Sequence, residues 1–207
     1  SQHDSKIETV GNPVRNAISG VAEPSVRYDV NDSSPLKLLV VGGSLGAQVL
    51  NETLPKALAL LDRPFEVRHQ CGRDNETATQ AAYDSEALSA HQFTVQPFID
   101  DMAAAYNWAD IVVCRAGALT VTEIQNVGIA AIFVSLPSAV DDHQTANART
   151  LTEHQAGILL PQNELTPNKL SNELNMLDRR ACLEMAEKGH ALANRQACQR
   201  VADIIWQ

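Results

Sequence analysis

Two kinds of hydrophobic pattern alternate along the chain. Short strand-like runs occur at 36–41, 65–69, 93–96, 111–114, 130–136 and 157–160. Those at 36–41, 111–114 and 130–136 are nearly continuous apolar stretches, typical of strands buried on both faces. The segments between them repeat apolar residues every three or four positions, which predicts amphipathic helices. We expect these helices at 46–61, 74–88, 101–108, 119–127, 143–154, 167–177 and 179–206. The alternation predicts an α/β fold: a Rossmann-like open parallel sheet with helices on both faces, which binds ligands at the carboxyl ends of its strands.

Two parts of the chain depart from this alternation. Pro55 lies inside the first helical pattern, where its missing N–H group predicts a kink or a restart of the helix. Residues 1–35 contain a Gly-Asn-Pro turn and end in a Ser-, Asp- and Pro-rich stretch, so we interpret them as an interdomain segment and linker. The domain then covers residues 36–207. Its last helix ends in the large apolar residues 204–206, which pack either on the domain's own sheet or on a partner.

Composition narrows the classes of partner. The chain has 207 residues, enough for one sizeable α/β domain. Its net charge of −9 disfavours nucleic acid or an anionic membrane surface as the main partner, but not a small anionic ligand. No apolar run approaches the ~20 residues of a membrane span, and the polar first residues do not resemble a signal peptide. Four cysteines without a Cys-x-x-Cys pair indicate a reduced, cytosolic compartment.

Two small-residue turns, each between an apolar run and a helical pattern, give the strongest functional signal. The first is 42–47 (GGSLGA) and the second is 116–120 (AGALT). Such a turn lets the next helix present backbone N–H groups and the positive end of its dipole to a phosphate. Glycine also serves tight packing between strand and helix, so one turn alone is a weak signal. Two turns at one sheet edge predict a nucleoside diphosphate held in the crevice between them.

Side chains near these turns add candidates. Ser44 could donate to a phosphate oxygen or cap its helix, and Arg115 could hold a phosphate or form a surface salt bridge. Glu123 could accept both hydroxyls of a ribose, although acidic residues favour early helical turns in any case. An NAD-type fold needs its ribose acid at the end of the second strand, where this chain has His69-Gln70-Cys71. An NAD-dependent oxidoreductase is therefore disfavoured.

Polar residues also begin two other helices. Asp142 could cap the helix after the fifth strand, with His143 and Gln144 reaching a sugar, or this segment could be a polar helix start and no more. The histidine and its neighbouring aspartates lack the i, i+4 spacing of helical metal ligands, so we expect no metal. Asp100 or Asp101 is expected to cap the helix that follows the third strand.

Five motifs together resemble one family. They are 11–15 (GNPVR), 42–47 (GGSLGA), 98–102 (FIDDM), 114–123 (CRAGALTVTE) and 144–148 (QTANA). In this order they resemble the C-terminal half of the MurG family, bacterial N-acetylglucosaminyltransferases that convert lipid I to lipid II in peptidoglycan synthesis. The resemblance runs from about residue 11 to the end of the chain. It implies the C-terminal half of a GT-B fold, a domain that binds the donor UDP-N-acetylglucosamine, and no metal or other cofactor.

The resemblance implies that the candidate residues divide by the part of the donor that they contact. The phosphates would be contacted by a set from both turns and the first motif: Arg15, Ser44, Ala118, Leu119 and Thr120. The backbone of Ile99 would meet the uracil, Glu123 would hold the ribose, and Gln144 would bind the sugar. Further candidates lie in or beside the same motifs: Gly43, Met102, Arg115, His143 and Asn147. The histidine stands where the family can have glutamine.

The family's N-terminal half would carry the acceptor loop, the candidate catalytic base and the membrane-association patch. We expect this chain to be a fragment that holds the side of the departing diphosphate and is not catalytically competent alone. Lipid I and the membrane would then engage the other half, and the whole enzyme would act by inverting transfer at the cytoplasmic face of the bacterial inner membrane. The alternative is a non-catalytic nucleotide-binding or protein-association module that uses residues 204–206 for a partner.

Overall fold

The computed structural model of the chain describes residues 14–43, 45–136 and 143–193. Their strands are Leu36–Val41 (β1), Phe65–Gln70 (β2), Gln92–Gln96 (β3), Ile111–Arg115 (β4), Ala130–Val134 (β5) and Ile158–Leu159 (β6). They form one parallel sheet in the order β3-β2-β1-β4-β5-β6. This is the doubly wound order, in which the direction of sheet growth reverses between β1 and β4. The predicted fold class, an α/β Rossmann-like open parallel sheet, is confirmed.

Helices connect the strands and cover both faces of the sheet. Their bounds are Asn16–Ser19 (α1), Pro24–Arg27 (α2), Gln48–Leu58 (α3), Glu76–Asp84 (α4), Met102–Trp108 (α5), Ala118–Val127 (α6), His143–Thr152 (α7), Pro167–Met176 (α8) and Arg179–Ala191 (α9), with a short 3₁₀ helix at Gln162–Glu164. One apolar layer joins the sheet to α3, α4, α8 and α9, and the other joins it to α1, α5, α6 and α7.

The central strand β1 shows why its sequence is a nearly continuous apolar run. Leu38 and Val40 belong to the first layer, whereas Leu39 between them belongs to the second. All three side chains are fully buried. Because successive side chains of a strand point to opposite faces, a strand covered on both sides needs apolar residues wherever it is covered, and the one polar residue of β1, Lys37, is only half-buried.

Three predicted helices differ from those observed. Pro55 neither ends nor restarts α3: it lies buried inside one continuous helix, whose packed face offsets the single missing hydrogen bond. Helix α4 begins later than predicted because Asp74 has a left-handed φ of 64°. Helix α9 ends at Ala191, where Leu192 N–H donates to Gly189 O at 3.1 Å and closes a tightened final turn. Residues 204–206 lie outside the described part of the chain.

The segment 14–35 packs against the sheet domain. Ile18 is 2% exposed within the second layer. The hydroxyl of Tyr28 donates to Asp110 O at 2.7 Å and accepts from the N–H of Ala130 at 3.2 Å. Arg27 donates to the carbonyl oxygens that end α5 and α6, at Tyr106 and Val127. These contacts hold in place the segment that carries Arg15, the residue before α1. The role of residues 1–35 as an interdomain segment stays a prediction.

Candidate functional site

The carboxyl ends of β1 and β2, the loop after β3 and the first turns of α6 border a cleft of about 210 Å³. It lies where the sheet order reverses, which is where doubly wound sheets bind ligands. Candidate residues from distant parts of the sequence meet in its lining: Arg15, Gly43, Ile99, Met102, Thr120 and Glu123. The lining also includes Val41, Gln70, Phe98, Asp100 and Tyr106. The topology explains this meeting, because parallel strands bring their following loops to one edge.

Two of the three glycines in the first small-residue turn have different tasks. Gly43 and Gly46 have left-handed φ angles of 85° and 77°. A Cβ atom on Gly46 would lie 2.1 Å from the carbonyl oxygen of Cys71, whereas one on Gly43 would meet nothing within 4 Å. Gly43 lines the cleft. Gly46 therefore serves backbone packing, and Gly43 keeps open the space beside the turn.

Gln70, at the end of β2, holds this turn in place. The N–H of Gly43 donates to Gln70 Oε1 at 3.0 Å, and Gln70 Nε2 donates back to Gly43 O at 2.8 Å. The same Nε2 donates to Pro97 O at 3.0 Å. Gln70 is 3% exposed, so these bonds are shielded from water. One amide side chain thus joins the first turn to the loop that leads to Ile99.

The second turn opens helix α6 toward solvent. Gly117 precedes the helix in an extended conformation, with φ −64° and ψ 145°. The first bond of the helical ladder runs from the N–H of Val121 to Gly117 O at 2.9 Å. The N–H groups of Ala118, Leu119 and Thr120 therefore lie ahead of the ladder, at the positive end of the helix dipole. The Leu119 side chain is 65% exposed, so this helix start is accessible to an anion.

Glu123 receives donors from two sides. Arg15 Nη2 lies 3.1 Å from Glu123 Oε1, and the hydroxyl of Tyr106 donates to Glu123 Oε2 at 3.1 Å. The two contacts differ in burial, because the Arg15 side chain is 65% exposed while Tyr106 is 1% exposed. An exposed ion pair of this kind contributes only about 0–1 kcal/mol, so a ligand can displace the arginine at little cost. Burial, with the nearby carboxylate, raises the pKa of Tyr106 well above its ordinary value and keeps the phenol a hydrogen-bond donor.

Helix α7 is attached to the same edge of the sheet. The N–H of Leu136, just after β5, donates to Gln144 Oε1 at 3.2 Å. Asn147 Nδ2 donates to Ala116 O, in the second turn, at 3.2 Å. Asn147 therefore lies beside the start of α6 and Gln144 beside the end of β5, but neither is among the residues that line the cleft. Asn147 supports the second turn through its backbone.

Other candidates have separate environments. Arg115 Nη1 donates to Val134 O at 3.4 Å, and burial lowers the pKa of its guanidinium group. His143 is exposed at the first residue of α7. Ser44 and Asp142 lie outside the described residues, so their proposed contacts stay predictions. The predicted cap of α5 is confirmed for Asp101, whose Oδ1 accepts the N–H of Ala104 at 2.9 Å.

Two hydrogen-bonding residues that organise the cleft, Gln70 and Tyr106, were not predicted from the sequence. Gln70 had a usable signal, because a polar residue at the carboxyl end of a strand in such a sheet lies at the ligand edge. The sequence reasoning considered this position only for an acidic side chain, which it lacks. Tyr106 gave no such signal, because it has the pattern of an apolar residue in an amphipathic helix.

Two features are absent from the described part of the chain. Within 14–43, 45–136 and 143–193, no three His, Cys, Asp or Glu side chains gather as a metal site needs; that the protein needs no metal stays a prediction. In the same ranges no helix has the length and apolar character required to cross a bilayer.

The fold and the cleft together define a class of protein. A doubly wound parallel sheet with two small-residue turns and a carboxylate at its switch point has the architecture of a Rossmann-like domain. The crystal structure of MurG from Acinetobacter baumannii superimposes on this chain with a TM-score of 0.86 and 45% sequence identity, over 91% of this chain and 54% of that one. The domain therefore has the architecture of the C-terminal half of GT-B glycosyltransferases.

The chain belongs to glycosyltransferase family 28, whose C-terminal domain model matches residues 37–204. A UDP-N-acetylglucosamine--N-acetylmuramyl-(pentapeptide) pyrophosphoryl-undecaprenol N-acetylglucosamine transferase from Psychrobacter arcticus is 85% identical over 206 residues, which is 100% of this chain and 57% of that protein. The protein of the same name from Aeromonas hydrophila is 51% identical over 94% of this chain and 53% of its own length. The chain thus spans little more than half the length of these relatives.

Proposed function

We propose that this domain binds the donor UDP-N-acetylglucosamine for an inverting N-acetylglucosaminyltransferase that converts lipid I to lipid II. The observation that carries the proposal is the position of Glu123. Its carboxylate lies in the cleft at the switch point, a few residues after the open start of α6. A nucleoside diphosphate needs an acceptor for its ribose hydroxyls and donors for its phosphates within one short span, and this helix offers both.

The backbone of α6 supports the diphosphate part of the proposal. Ala118, Leu119 and Thr120 would direct their N–H groups to the phosphate oxygens, and Gly43 leaves the opposite side of the cleft free of a side chain. Arg15 would supply the mobile positive charge. When an acceptor hydroxyl attacks the anomeric carbon, the bond from that carbon to the diphosphate oxygen breaks and UDP leaves with the added negative charge. Fixed amide dipoles would stabilise that charge without rearrangement, and the Arg15 guanidinium group, once displaced from Glu123, would add its positive charge.

The other parts of the donor are assigned from the motif resemblance. Ile99, which lines the cleft beside the Gln70-supported loop, would present its backbone to the uracil. Gln144 would bind the N-acetylglucosamine from α7, and Ser44 would contact a phosphate. The cleft volume of about 210 Å³ is smaller than the ~300–1,000 Å³ of complete small-molecule sites. A half-site of this size suits a protein in which a second domain closes over the sugar.

The longer protein would supply what this domain does not. The acceptor lipid I, the group that removes the proton of its hydroxyl, and contact with the cytoplasmic face of the bacterial inner membrane are proposed for the other half. The domain alone would then bind the donor without completing the transfer.

Titration calorimetry tests the proposal on the 207-residue chain. We expect heat of binding with UDP and with UDP-N-acetylglucosamine but none with NAD. Glu123→Ala should weaken UDP binding by roughly tenfold or more, as for loss of hydrogen bonds to a charged acceptor, and should weaken 2′-deoxy-UDP less. Glu76→Ala, an exposed carboxylate in the first turn of α4, is the matched control and should bind as the unaltered chain does. Absence of UDP binding at millimolar concentration, or equal losses for both nucleotides, would contradict the proposal.

A further inference from the structure

We infer that Tyr106 is a positioning residue that sets the selectivity of the cleft for ribose over deoxyribose by holding the Glu123 carboxylate in one orientation. This inference rests on the proposed function, because it concerns how the proposed ribose acceptor works. Tyr106 donates to Glu123 Oε2, while the exposed Arg15 reaches Glu123 Oε1. The two oxygens of one carboxylate are therefore divided between a fixed partner and a replaceable partner.

The chemistry of the carboxylate explains why it needs a fixed partner. The last torsion of a glutamate side chain is broad and has no strong rotamer preference, so an unsupported carboxylate rotates freely. A ribose presents two adjacent hydroxyl groups, and both are satisfied only by an acceptor plane of defined direction. A carboxylate has about four lone-pair sites, of which Tyr106 uses one. Enough remain for both hydroxyls once the exposed arginine has moved away.

Tyr106 is itself held rigidly. Its side chain is 1% exposed and belongs to the second apolar layer, together with Ile18 of α1 and Ile124 of α6. Its backbone carbonyl accepts a hydrogen bond from Arg27 Nη1 at 3.3 Å. The phenol ring also lines the cleft, so its hydroxyl reaches Glu123 from the buried side. Packing that fixes the ring therefore fixes the donor, and the donor fixes the acceptor plane.

The measured quantity is the ratio of the dissociation constant of 2′-deoxy-UDP to that of UDP, determined by calorimetry. Tyr106→Phe removes only the hydroxyl and should lower this ratio roughly three- to tenfold, the effect of one hydrogen bond. Tyr83→Phe is the matched control, because Tyr83 is also fully buried but donates or accepts at His69 Nδ1, away from the cleft. This control should leave the ratio unchanged. A purely structural role of Tyr106 would weaken both nucleotides alike and would also leave the ratio unchanged.

A double substitution separates positioning from direct contact. In a Glu123→Ala background, adding Tyr106→Phe should change the ratio no further, because nothing remains to be oriented. A further drop there would show that the phenol contacts the ribose by itself and would overturn the inference. An unchanged ratio in Tyr106→Phe alone, with a lowered ratio in Glu123→Ala, would overturn it and leave the proposed function standing. Failure of the unaltered chain to bind UDP, or to prefer it, would remove the proposed function and this inference together.

Discussion

The first turn offers a direct test of how the sheet edge is built, through alanine substitutions at Gly46 and Gly43. Both glycines have left-handed φ angles, 77° and 85°, so both substitutions carry the same backbone strain. Both also gain the same small stabilisation from a less flexible unfolded chain. They differ only in what the new methyl group meets. It would lie 2.1 Å from Cys71 O at Gly46 and would have no neighbour within 4 Å at Gly43.

The structure sets the expected difference in the free energy of unfolding. Left-handed strain costs each variant about 1–2 kcal/mol. The methyl group of Gly46→Ala must also displace the Cys71 carbonyl, which accepts hydrogen bonds from Asn51 Nδ2 at 3.0 Å and Asn75 Nδ2 at 3.2 Å. Weakening these two bonds adds about 2 kcal/mol at about 1 kcal/mol each. We therefore expect Gly43→Ala to lose about 1–2 kcal/mol and Gly46→Ala about 3–4 kcal/mol.

Urea unfolding followed by circular dichroism measures this difference, and UDP titration supplies the second readout. Gly43→Ala should fold and yet bind UDP more weakly, because its methyl group enters the cleft that Gly43 lines. Losses of stability that agree within about 0.5 kcal/mol would show that the Cys71 carbonyl yields freely and would refute the close-packing explanation. Full UDP affinity in Gly43→Ala would show that the ligand does not approach this turn.

Three further substitutions or titrations test the packing around the site. Arg179→Ala should destabilise the domain by about 3–5 kcal/mol in urea unfolding, because Arg179 is 9% exposed and lies 3.6 Å from the Asp110 carboxylate. Substitution of its exposed neighbour, Arg180→Ala, should have little effect on the free energy of unfolding. Equal losses in the two variants would contradict this prediction. Tyr28→Phe should cost about 1–3 kcal/mol in the same assay, because it leaves the Asp110 carbonyl and the Ala130 N–H, at the start of β5, without the hydroxyl that they bond. A loss of stability near zero would mean that water replaces the hydroxyl. Burial lowers the pKa of His69 to about 3, below the ordinary value. The His69 imidazole therefore stays neutral in the folded protein at a pH where the same group in the unfolded chain takes up a proton. The free energy of unfolding should consequently fall as the pH decreases below about 6.5. The imidazole signals of His69 should accordingly not titrate by NMR between about pH 5 and 7, and a midpoint near 6.5 would contradict its burial.

The sequence predicted the sheet well because its strands follow a local rule. A strand covered on both faces is apolar wherever it is covered, as 38–41 and 130–134 are, and that pattern needs no knowledge of the partner strand. Helix ends were predicted less well because they depend on competing contacts. Pro55 stays inside α3 because a buried face outweighs one lost bond, and α9 stops at Ala191 because its final turn closes early. These outcomes are decided by packing energies that no single residue type reveals.

The residues of the candidate site show the same difference between features set by local sequence and features set by packing. Gly43 and Thr120 belong to the two small-residue turns, and Glu123 follows in the helix that the second turn opens, so short sequence motifs marked all three, and the structure brings them to one cleft. Tyr106 could not be predicted in this way. It lies 17 positions from Glu123, and their 3.1 Å contact exists only because α5 and α6 lie on the same face of the sheet, where both pack against α1. Turn residues that would touch a ligand are thus placed by local sequence rules, whereas the group that orients the carboxylate is placed by how the helices of this face pack together. Ribose selectivity in this cleft should accordingly be sensitive to core substitutions among α1, α5 and α6 that never approach the nucleotide.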